Sequence, residues 1–425
     1  MASGRVILST TGIQDEFLTG EPQMTYFLKQ FKRHTRFAIE TAENPVDGTT
    51  NFGNSLSATI PRKGDIIRNL SIKLELSDIT TDATGANATP IYTDSIGHAM
   101  IEYCDLVIGG QTIERITGEY MEIFSELSVS NSQQDAYYYL VGKSRNQTIN
   151  GGNNTGRKVY IVTLPFYFFR NNQLGVPLYS IYRQEVELKF KFRKLREVVL
   201  NSENGNGPYI PSESVEASIL RLGILTEYVY LTDEEKDYIK ARPTDYVIEQ
   251  LQLSRGVIES NENSKTFRLN FTNPVKELYI VVQSQDTQDS NDWFNFNDGN
   301  PVNNSNSFID SVQLELNGEI MISEDVADYL YLLYAQPMYY HTRVPKRNIY
   351  SYSFALRPED PEPTGQVNMS RIINKLLKVN MVTNSEGAYT GGSDNRNIRI
   401  YAKNYNVLRI QDGLAGLLFI DNTFM

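Results

Sequence analysis

The sequence predicts a mostly antiparallel β protein in which one β domain occurs twice. Three observations predict this fold class: apolar and polar residues alternate along many short segments, glycine-containing tight turns separate apolar runs, and three short motifs recur at a nearly constant spacing. Alternation with a period of two residues is typical of strands that bury one face. A chain of 425 residues has the length of two or three domains, which agrees with a duplicated domain.

Alternating segments mark the predicted strands. Residues 185–192 read EVELKFKF, residues 66–76 read IIRNLSIKLEL, and residues 312–316 read VQLEL. Residues 397–410 are rich in β-branched and aromatic residues, which favour strands. The residues predicted to face inward are Leu70, Ile72, Leu74, Leu76, Val186, Leu188, Phe190, Phe192, Val312, Leu314 and Leu316.

Two tight hairpins are predicted at Gly109-Gly110 and at Asn317-Gly318. Glycine and asparagine readily adopt the positive φ angles that a two-residue type I′ turn requires. A short helical pattern follows each hairpin, and Pro337 is expected to end the second helix. The apolar residues of the two patterns are Tyr120, Phe124 and Leu127 in the first, and Val326, Leu330 and Leu333 in the second.

An internal repeat relates the two halves of the chain. Three pairs of segments match in the same order at nearly constant spacing, and repeats of this kind indicate a duplicated structural unit. The pairs are Phe37–Glu40 with Tyr246–Glu249 (246 − 37 = 209), Arg68–Ile72 with Lys276–Ile280 (276 − 68 = 208), and Gly110 with Gly318 (318 − 110 = 208).

The boundary between the halves is also visible. Val215–Leu231 is predicted as the closing strand of the first half, and Thr232 and Glu235 have the spacing of a helix capping box, with Pro243 as the stop. Each half suits a single sandwich or jelly roll with long loops. The predicted division is an N-terminal arm at 1–25, a first domain at 26–231, a helical connector at 232–243 and a second domain at 244–425.

Composition restricts the class of protein. The chain has 40 basic and 51 acidic residues and therefore a net charge of −11. This charge argues against a protein that binds nucleic acid with its whole surface. Cys104 is the only cysteine, so a disulfide framework and a multi-cysteine zinc site within one chain are excluded. Met1–Gly20 lacks the apolar core of a signal peptide and apolar runs are strand-sized, so we expect synthesis in the cytosol.

The sequence shows no pattern typical of catalysis. His34, His98 and His341 lie far apart, and no phosphate-binding loop, dinucleotide fingerprint or HExxH pattern occurs. We therefore predict no catalytic residue, no metal site and no cofactor. Residues Asp286–Asp298 resemble a calcium loop only vaguely and are interpreted as a solvated surface loop, with Trp293 either anchoring it or contacting a neighbouring subunit.

Two basic clusters contrast with the acidic net charge. Each can be the solvent-exposed face of a strand and its turn, or an electropositive surface for an anionic membrane, nucleic acid or acidic partner. The 27 tyrosines also favour protein interfaces. The first cluster is Lys29, Lys32, Arg33, His34 and Arg36, and the second is Lys189, Lys191, Arg193, Lys194 and Arg196.

Blocks along nearly the whole chain resemble the major capsid proteins of nucleocytoplasmic large DNA viruses, in particular those of chlorella viruses. The first block, IQDEFLTGEPQMTYFLKQFKRHTRFAIE, and the last, IYAKNYNVLRI, are the most distinctive. Departures from the family pattern lie mainly in the loops at Ser77–Thr93 and Asp286–Ser307. The resembling blocks are Ile13–Glu40, Asn51–Ile67, Leu106–Ile113, Leu164–Val186, Glu249–Gln252, Phe267–Pro274, Leu314–Gly318, Tyr350–Ile372 and Ile400–Ile410.

The resemblance implies a double jelly roll with short helices in loops, and a structural virion protein rather than an enzyme. It implies homotrimers of pseudo-hexagonal outline that contact neighbouring capsomers in an icosahedral shell around an inner membrane, with no cofactor and no sequence-specific nucleic-acid binding. We place the arm before Tyr26 and the nearby basic residues at the inner face, towards minor capsid proteins and the inner viral membrane surface. The candidate contact residues are Lys29, Lys32, Arg33 and Arg36.

Two other functions fit parts of the sequence. A minor capsid paralogue would have the same fold but few copies per particle, and the full-length resemblance favours the major subunit over it. A carbohydrate-binding β-sandwich would need exposed aromatic platforms with paired carboxylates in one cleft, and a single tryptophan, Trp293, makes that a poor fit.

Overall fold

The computed structural model describes residues 3–29, 31–81, 89–143, 159–169, 171–202, 208–209, 215–241, 243–298, 307–383 and 395–419. Two compact units follow one another along the chain, Met1–Phe37 and Ala38–Met425. The first unit contains helices α1 Ser3–Ser9 and α2 Ile13–Thr19, neither of which buries a side chain. The second unit contains both β domains. The domain limits expected from the sequence remain predictions.

Most regular structure in the second unit is β. The first-half strands are β1 Phe37–Asn44, β2 Ser55–Thr59, β3 Ile66–Leu76, β4 Thr80–Thr81, β5 Thr89–Tyr92, β6 Ile101–Ile108, β7 Gln111–Thr117, β8 Val159–Thr163, β9 Val176–Pro177, β10 Val186–Phe192, β11 Val199–Ser202, β12 Pro208–Tyr209, β13 Val215–Glu216 and β14 Ile219–Leu231. The second-half strands are β15 Thr244–Ile258, β16 Ser264–Arg268, β17 Pro274–Ser284, β18 Ile309–Leu316, β19 Glu319–Ile322, β20 Tyr350–Ser353, β21 Val367–Asn368, β22 Lys375–Met381, β23 Arg396–Gln411 and β24 Leu414–Leu417.

Short helices lie in the connections between strands. They are α3 Ile96–Ala99, α4 Gly118–Ser128, α5 Asn131–Val141, α6 Asp233–Lys240, α7 Gln285–Asp289 and α8 Gln336–Tyr340, with a π-helical segment at Tyr331–Ala335 directly before α8 and 3-10 turns at Asn172–Leu174, Leu195–Glu197 and Met369–Arg371.

Two sandwiches of the same topology follow one another. In the first, a sheet of order β1-β14-β3-β8, with β9 beside β3, faces a sheet of order β2-β10-β6-β7. In the second, a sheet of order β15-β23-β17-β20, with β21 beside β17, faces a sheet of order β16-β22-β18-β19. The pairings are antiparallel, and the predicted double jelly roll is confirmed. We call strands β1–β14 the first roll and strands β15–β24 the second roll.

The sequence repeat coincides with this duplicated topology. The matched segments fall on equivalent strands: β1 with β15, and β3 with β17. Gly110 and Gly318 occupy the equivalent turns between β6 and β7 and between β18 and β19. Both central residues of each turn have positive φ: 57° and 83° at Gly109 and Gly110, and 54° and 90° at Asn317 and Gly318. The two predicted hairpins are therefore confirmed.

Burial follows the predicted alternation. Strand β10 buries Val186, Leu188, Phe190 and Phe192, and the intervening side chains are partly or fully exposed. Each roll has its own apolar core between its two sheets. All the residues predicted to face inward are buried: Leu70, Ile72, Leu74, Leu76, Val186, Leu188, Phe190, Phe192, Val312, Leu314 and Leu316.

Three local predictions were wrong. Pro337 does not end the second helix, which continues through α8 to Tyr340, because Pro337 lies in the first turn of α8, where a missing N–H is tolerated. Helix α6 forms after Thr232 without a side-chain cap, since the Glu235 amide donates instead to the Thr232 carbonyl. The predicted closing strand is split into β13 and β14.

Candidate functional site: the contact between the two rolls, and the separate basic arm

Strand β17 is buried on both faces. Its inward residues Leu278, Ile280 and Val282 belong to the core of the second roll. Its outward residues Tyr279 and Val281 pack into the core of the first roll instead. The outer face of the second roll's larger sheet is therefore an internal surface between the two rolls.

The first roll covers that face with β7 and α4. Thr117 caps α4 by accepting a hydrogen bond from the Tyr120 amide, which starts the helix at the end of β7. The Tyr120 ring then lies 6.4 Å from the Tyr279 ring and 6.3 Å from the Tyr401 ring. Arg399 Nε donates to Glu119 Oε1 at 2.6 Å. An aromatic cluster and an ion pair thus join α4 to β23 and β17.

Buried charges are paired on the same face. Lys403 Nζ lies 2.7 Å from Glu249 Oε2, and Lys276 also pairs with Glu249. Burial, together with the neighbouring charge of Lys403, lowers the pKa of Lys276 to about 8. For Lys403 the opposing attraction of Glu249 outweighs burial, so its pKa is raised. Burying such a pair costs desolvation free energy. Removing one partner strongly destabilises the fold, because the other charge is then buried without compensation.

Glu114 on β7 is a buried acid, and no cation among the described residues lies in hydrogen-bond contact with it. Burial raises its pKa to about 8, although its carboxylate accepts the Tyr167 amide hydrogen bond at 2.9 Å. The raised pKa favours the neutral carboxyl group, which reduces the cost of burying this side chain.

A second ionic cluster joins α4 to the segment before β20. Arg343 lies 2.8 Å from Glu126 Oε2, and Lys143 contacts both Glu122 and Glu126. Burial opposes the charge on Glu126, but Lys143 and Arg343 outweigh it and lower its pKa to about 2. The same balance, with Arg347 and Lys143, holds the pKa of Glu122 well below its usual value. These contacts connect the rolls electrostatically.

The acidic segment Asp286–Asp298 is not the solvated loop that the sequence suggested. Trp293 Nε1 donates to the Glu197 carbonyl at 2.7 Å, and the Arg193 guanidinium stacks 3.9 Å above the Trp293 ring. Asn291 is buried and donates to the Val199 carbonyl at 3.0 Å. The apolar residues of the segment fold against the first roll, so Trp293 anchors the segment to the body of its own chain.

A cleft of about 780 Å³ lies beside this anchor, between the rolls. Two ion pairs line its walls, Lys191 with Glu102 at 2.8 Å and Arg399 with Glu119. Arg193, on the same wall, is held over Trp293. The cleft therefore carries charges of both signs, four of which are joined in ion pairs.

The first basic cluster is exposed in the described part of the N-terminal segment before Phe37, which includes the predicted arm at 1–25 and is called the arm below. Lys29, Lys32, Arg33 and Arg36 all have exposed side chains on a non-helical segment. The surrounding apolar side chains are exposed as well: Tyr26 by 89%, Phe27 by 99% and Phe31 by 82%. This segment therefore exposes both its cations and its aromatic rings.

Most residues of the second basic cluster lie on the solvent-exposed side of a strand and in the turn that follows it. Lys189 lies 3.1 Å from Glu187 on the exposed face of β10, while Lys194 and Arg196 are exposed in the following turn. Only Arg193 has a distinct structural role, its contact with Trp293.

The two histidines of the second unit are structural. His98 is fully buried, with Nδ1 2.8 Å from Glu122 and Nε2 3.0 Å from the Tyr137 hydroxyl. His341 lies 3.3 Å from Glu359. His34 is exposed in the arm, next to Phe37. Across the ranges that the structure describes, no three His, Cys, Asp or Glu side chains are grouped as metal ligands.

Sequence reasoning missed the ionic interface between the rolls. In the sequence, Glu277 has the pattern of a solvent-facing residue, because alternation shows which residues share a face but not what covers that face. The sequence contained one indication that this face is covered, since Tyr279 and Val281 on the same outward face are apolar.

Comparison with known proteins identifies the family. Residues 25–232 match the family described as major capsid protein N-terminus, and residues 235–416 match the family of large eukaryotic DNA virus major capsid proteins. The major capsid protein of Pyramimonas orientalis virus is 30% identical, and the alignment covers 99% of this chain and 100% of that protein. The chain belongs to the major capsid protein family of large eukaryotic DNA viruses.

Other members of the major capsid protein family are similar over the same length. The major capsid protein of Paramecium bursaria Chlorella virus 1 is 28% identical, covering 99% of this chain and 100% of that protein. A chain of the quasi-atomic model of the PBCV-1 virus capsid superposes with a TM-score of 0.75, 24% identity and coverage of 93% and 100%. The Faustovirus major capsid protein has a TM-score of 0.74 at 12% identity, with 94% of each chain covered.

Family membership makes the chain a structural component of a viral capsid. No helix in the described ranges is both long and apolar enough to cross a bilayer.

Proposed function

We propose that this major capsid protein assembles as a homotrimer of pseudo-hexagonal outline, and that these capsomers tile the icosahedral shell of a large double-stranded DNA virus. The observation that carries the proposal is the duplicated roll: one chain contains two sandwiches with the same strand order. Three chains arranged around a three-fold axis present six similar sectors, which suits hexagonal packing with neighbouring capsomers. The names of the full-length relatives favour the major subunit over a minor paralogue.

The solution mass of the full chain tests this proposal. Light scattering of the purified protein should give three times 48.4 kDa, and negative-stain images of the same peak should show a hexagonal outline. A stable monomer under the same conditions would contradict self-assembly into trimers.

We further propose that the exposed arm faces the interior of the shell and contacts minor capsid proteins. The supporting features are the four exposed cations, Lys29, Lys32, Arg33 and Arg36, and the exposed aromatic residues beside them. An electropositive segment on a protein of net charge −11 concentrates attraction for acidic partners at one place. Binding to the inner viral membrane instead is the competing outcome.

Two variants test the arm. Deletion of residues 2–25 should leave trimers intact but impair shell assembly, because the rolls are untouched. Replacement of the four cations by glutamine should have the same effect through charge alone, whereas the matched control, glutamine at Lys189, Lys194 and Arg196, should assemble normally. Flotation of the purified protein with anionic vesicles would identify a lipid partner. Normal assembly of the deletion would contradict the proposal.

The proposed role is wholly structural, without catalytic residues or cofactor, and synthesis in the host cytoplasm precedes incorporation into the virion. Glycan-array and hydrolase screens of the purified trimer test the competing carbohydrate-directed function and should both be negative.

A further inference from the structure

The cleft between the two rolls has the size and the position of a ligand-binding site. Its volume of about 780 Å³ lies within the range of about 300–1,000 Å³ that is typical of small-molecule sites, and such sites often occur where two domains meet. The first roll lines one wall with β6, β7, β10 and the start of α4, while the second roll lines the other with the end of β15 and the start of β23. A ligand in the cleft therefore contacts both rolls.

The cleft contains more cations than carboxylates, although the chain as a whole is acidic. Its lining has a net charge of +2 (5 − 3), against −11 for the complete chain. Two of the three carboxylates, Glu102 and Glu119, are already joined in ion pairs with two of the cations. The third, Glu197, accepts the Lys194 amide hydrogen bond at 3.1 Å. The five cations are Lys191, Arg193, Lys194, Arg255 and Arg399.

Arg193 is held in a fixed orientation at the wall of the cleft. Its guanidinium lies 3.9 Å above the Trp293 ring, and its Nη1 donates to the Ala99 carbonyl. Its Nε and Nη2 groups have no hydrogen-bond acceptor among the residues that the structure describes. Burial lowers the pKa of Arg193, so a bound anion would compensate a charge that is only partly solvated.

Lys194 and Arg255 add a cation from each roll. Lys194 lies in the turn after β10 of the first roll, and Arg255 lies near the end of β15 of the second roll. Both side chains are exposed, and neither makes an ion pair or a side-chain hydrogen bond with a described residue. A single exposed cation is usually hydrated by solvent alone. Here, however, the two cations line the same cavity as Arg193.

An amide group adds a further donor. Asn397 Nδ2 donates to Gln288 Oε1 at 2.7 Å and to Gln285 Oε1 at 2.8 Å. Because Asn397 fixes the Gln288 oxygen, the Gln288 NH2 group is left as a donor, and no described residue accepts from it. The cleft therefore combines three cations and one amide that all have unused N–H groups.

We propose that this cleft binds a small multivalent oxyanion of the oligophosphate type, and that Arg193, Lys194 and Arg255 hold it. Guanidinium and ammonium groups with unused N–H donors recognise phosphate oxygens through charge-assisted hydrogen bonds. The stacking of Arg193 on Trp293 prepares one of these donors before the ligand arrives, which lowers the entropy cost of binding. The anion is a structural ligand, and no bond in it is made or broken.

The cleft lies at the end of the rolls that the connector does not reach. The chain passes from the first roll to the second through α6, and β15 then begins at Thr244. Arg255 is 11 residues further along β15 (255 − 244 = 11), about 36 Å away at the rise of a strand. An anion that bridges Lys194 and Arg255 therefore joins the rolls where the connector does not hold them, so binding should stabilise the folded chain.

Titration calorimetry of the purified full chain with sodium tripolyphosphate tests the site, with sodium chloride keeping the ionic strength constant. The double variant Lys194→Gln with Arg255→Gln should bind about tenfold or more weakly than wild type, because charge-assisted hydrogen bonds are lost. The matched control, Lys189→Gln with Arg196→Gln, removes the same charge from exposed positions outside the cleft and should bind like wild type. Equal weakening of the two double variants would show that binding follows net charge, and would overturn the proposed site.

Hydrogen exchange followed by mass spectrometry locates the ligand in the wild type without any substitution. Tripolyphosphate should slow exchange in both walls of the cleft, at 191–197 and 253–258, and leave β16 at 264–268 unchanged. No binding of tripolyphosphate by wild type, or binding that leaves both walls unprotected, would overturn the proposal.

ATP distinguishes a free oligophosphate from a nucleotide as the source of the anion. It carries the same chain of three phosphate groups, so it should bind with about the affinity of tripolyphosphate and lose affinity in the same double variant. Binding of ATP more than about tenfold tighter than tripolyphosphate would show that the nucleoside is recognised as well, and would contradict a site that selects the phosphate groups alone.

Discussion

Strands β3 and β17 occupy equivalent positions in the two rolls, but their surroundings differ. From Asn69 to Leu76, strand β3 buries every second residue and leaves the others half-buried, whereas all residues of β17 between Val275 and Gln283 are buried. The two strands have equivalent neighbours in their sheets: β3 lies between β14 and β8, and β17 lies between β23 and β20. The difference comes from the outer face, which α4 and β7 cover on β17 only.

This comparison shows that topology and environment are separate properties of a repeated domain. The duplicated strand order fixes which residues face the core of each roll. Whether the opposite face meets solvent or protein depends on a neighbouring element that the sheet itself does not contain. The polar residues of the covered face then require partners, and Glu249, Lys276 and Lys403 provide them for one another.

The largest expected effect separates the two strands directly. Tyr279→Ala removes a buried ring between the rolls and should lower the free energy of unfolding by about 3–5 kcal/mol. Ser71→Ala changes the equivalent half-exposed position and should stay within about 0.5 kcal/mol of wild type. Denaturant unfolding followed by tyrosine fluorescence measures both. Equal costs would show that the outer face of β17 is not an internal surface.

Acid should weaken the interface between the rolls. The pKa of Glu126 is lowered from the ordinary value of 4.5 to about 2 in the folded protein, so its stabilisation is complete above pH 4.5 and is lost as the pH falls towards 2. A shift of this size corresponds to about 3 kcal/mol. Urea midpoints measured between pH 5 and pH 2 should fall for wild type and fall less steeply for Glu126→Gln.

The control for this acid effect lies in the second roll. Glu324 pairs with Lys378 at 3.0 Å, but its side chain is 42% exposed. Glu324→Gln should therefore leave the pH dependence of the urea midpoint close to that of wild type, since exposed pairs contribute little. A wild-type slope in Glu126→Gln would exclude Glu126 as the titrating group.

The smallest effects are expected at the equivalent hairpins. A Cβ at Gly110 or Gly318 would meet open space, so alanine there should cost only the left-handed backbone conformation, about 1 kcal/mol in each roll. Gly109→Ala should cost more, because its Cβ would collide with the side chain of Gln184, which accepts the Ala415 amide hydrogen bond. Thermal unfolding of the three variants measures the loss of stability in each. A larger loss for Gly318→Ala than for Gly109→Ala would contradict the prediction.

The sequence predicted local structure best where a residue pattern is typical of a single kind of local structure. Alternation identified the inward side of β10 and β18, and positive-φ residues identified both hairpins. Prediction was weaker where a residue has two possible surroundings. The sequence predicts that Pro337 ends the helix, but Pro337 lies in the first turn of α8, because the sequence does not show the preceding π-helical segment.

The candidate functional surfaces were predicted only in part. The basic residues of the arm were identified from their clustering, and the structure places them in an exposed segment. Arg193 belonged to a similar cluster but stacks on Trp293, more than ninety residues away in sequence, and clustering could not predict that contact. The buried pair Glu126–Arg343 joins residues even further apart.

By itself, the sequence determined the β class, the duplicated roll, the inward face of the main strands and the resemblance to a capsid protein. These properties depend on neighbouring residues or on spacing along the chain, which the order of amino acids contains directly. Only the tertiary structure decided which outer sheet face is covered and which stays open. That choice depends on contacts between residues distant in sequence, and the same alternating pattern of polar and apolar residues is compatible with either outcome.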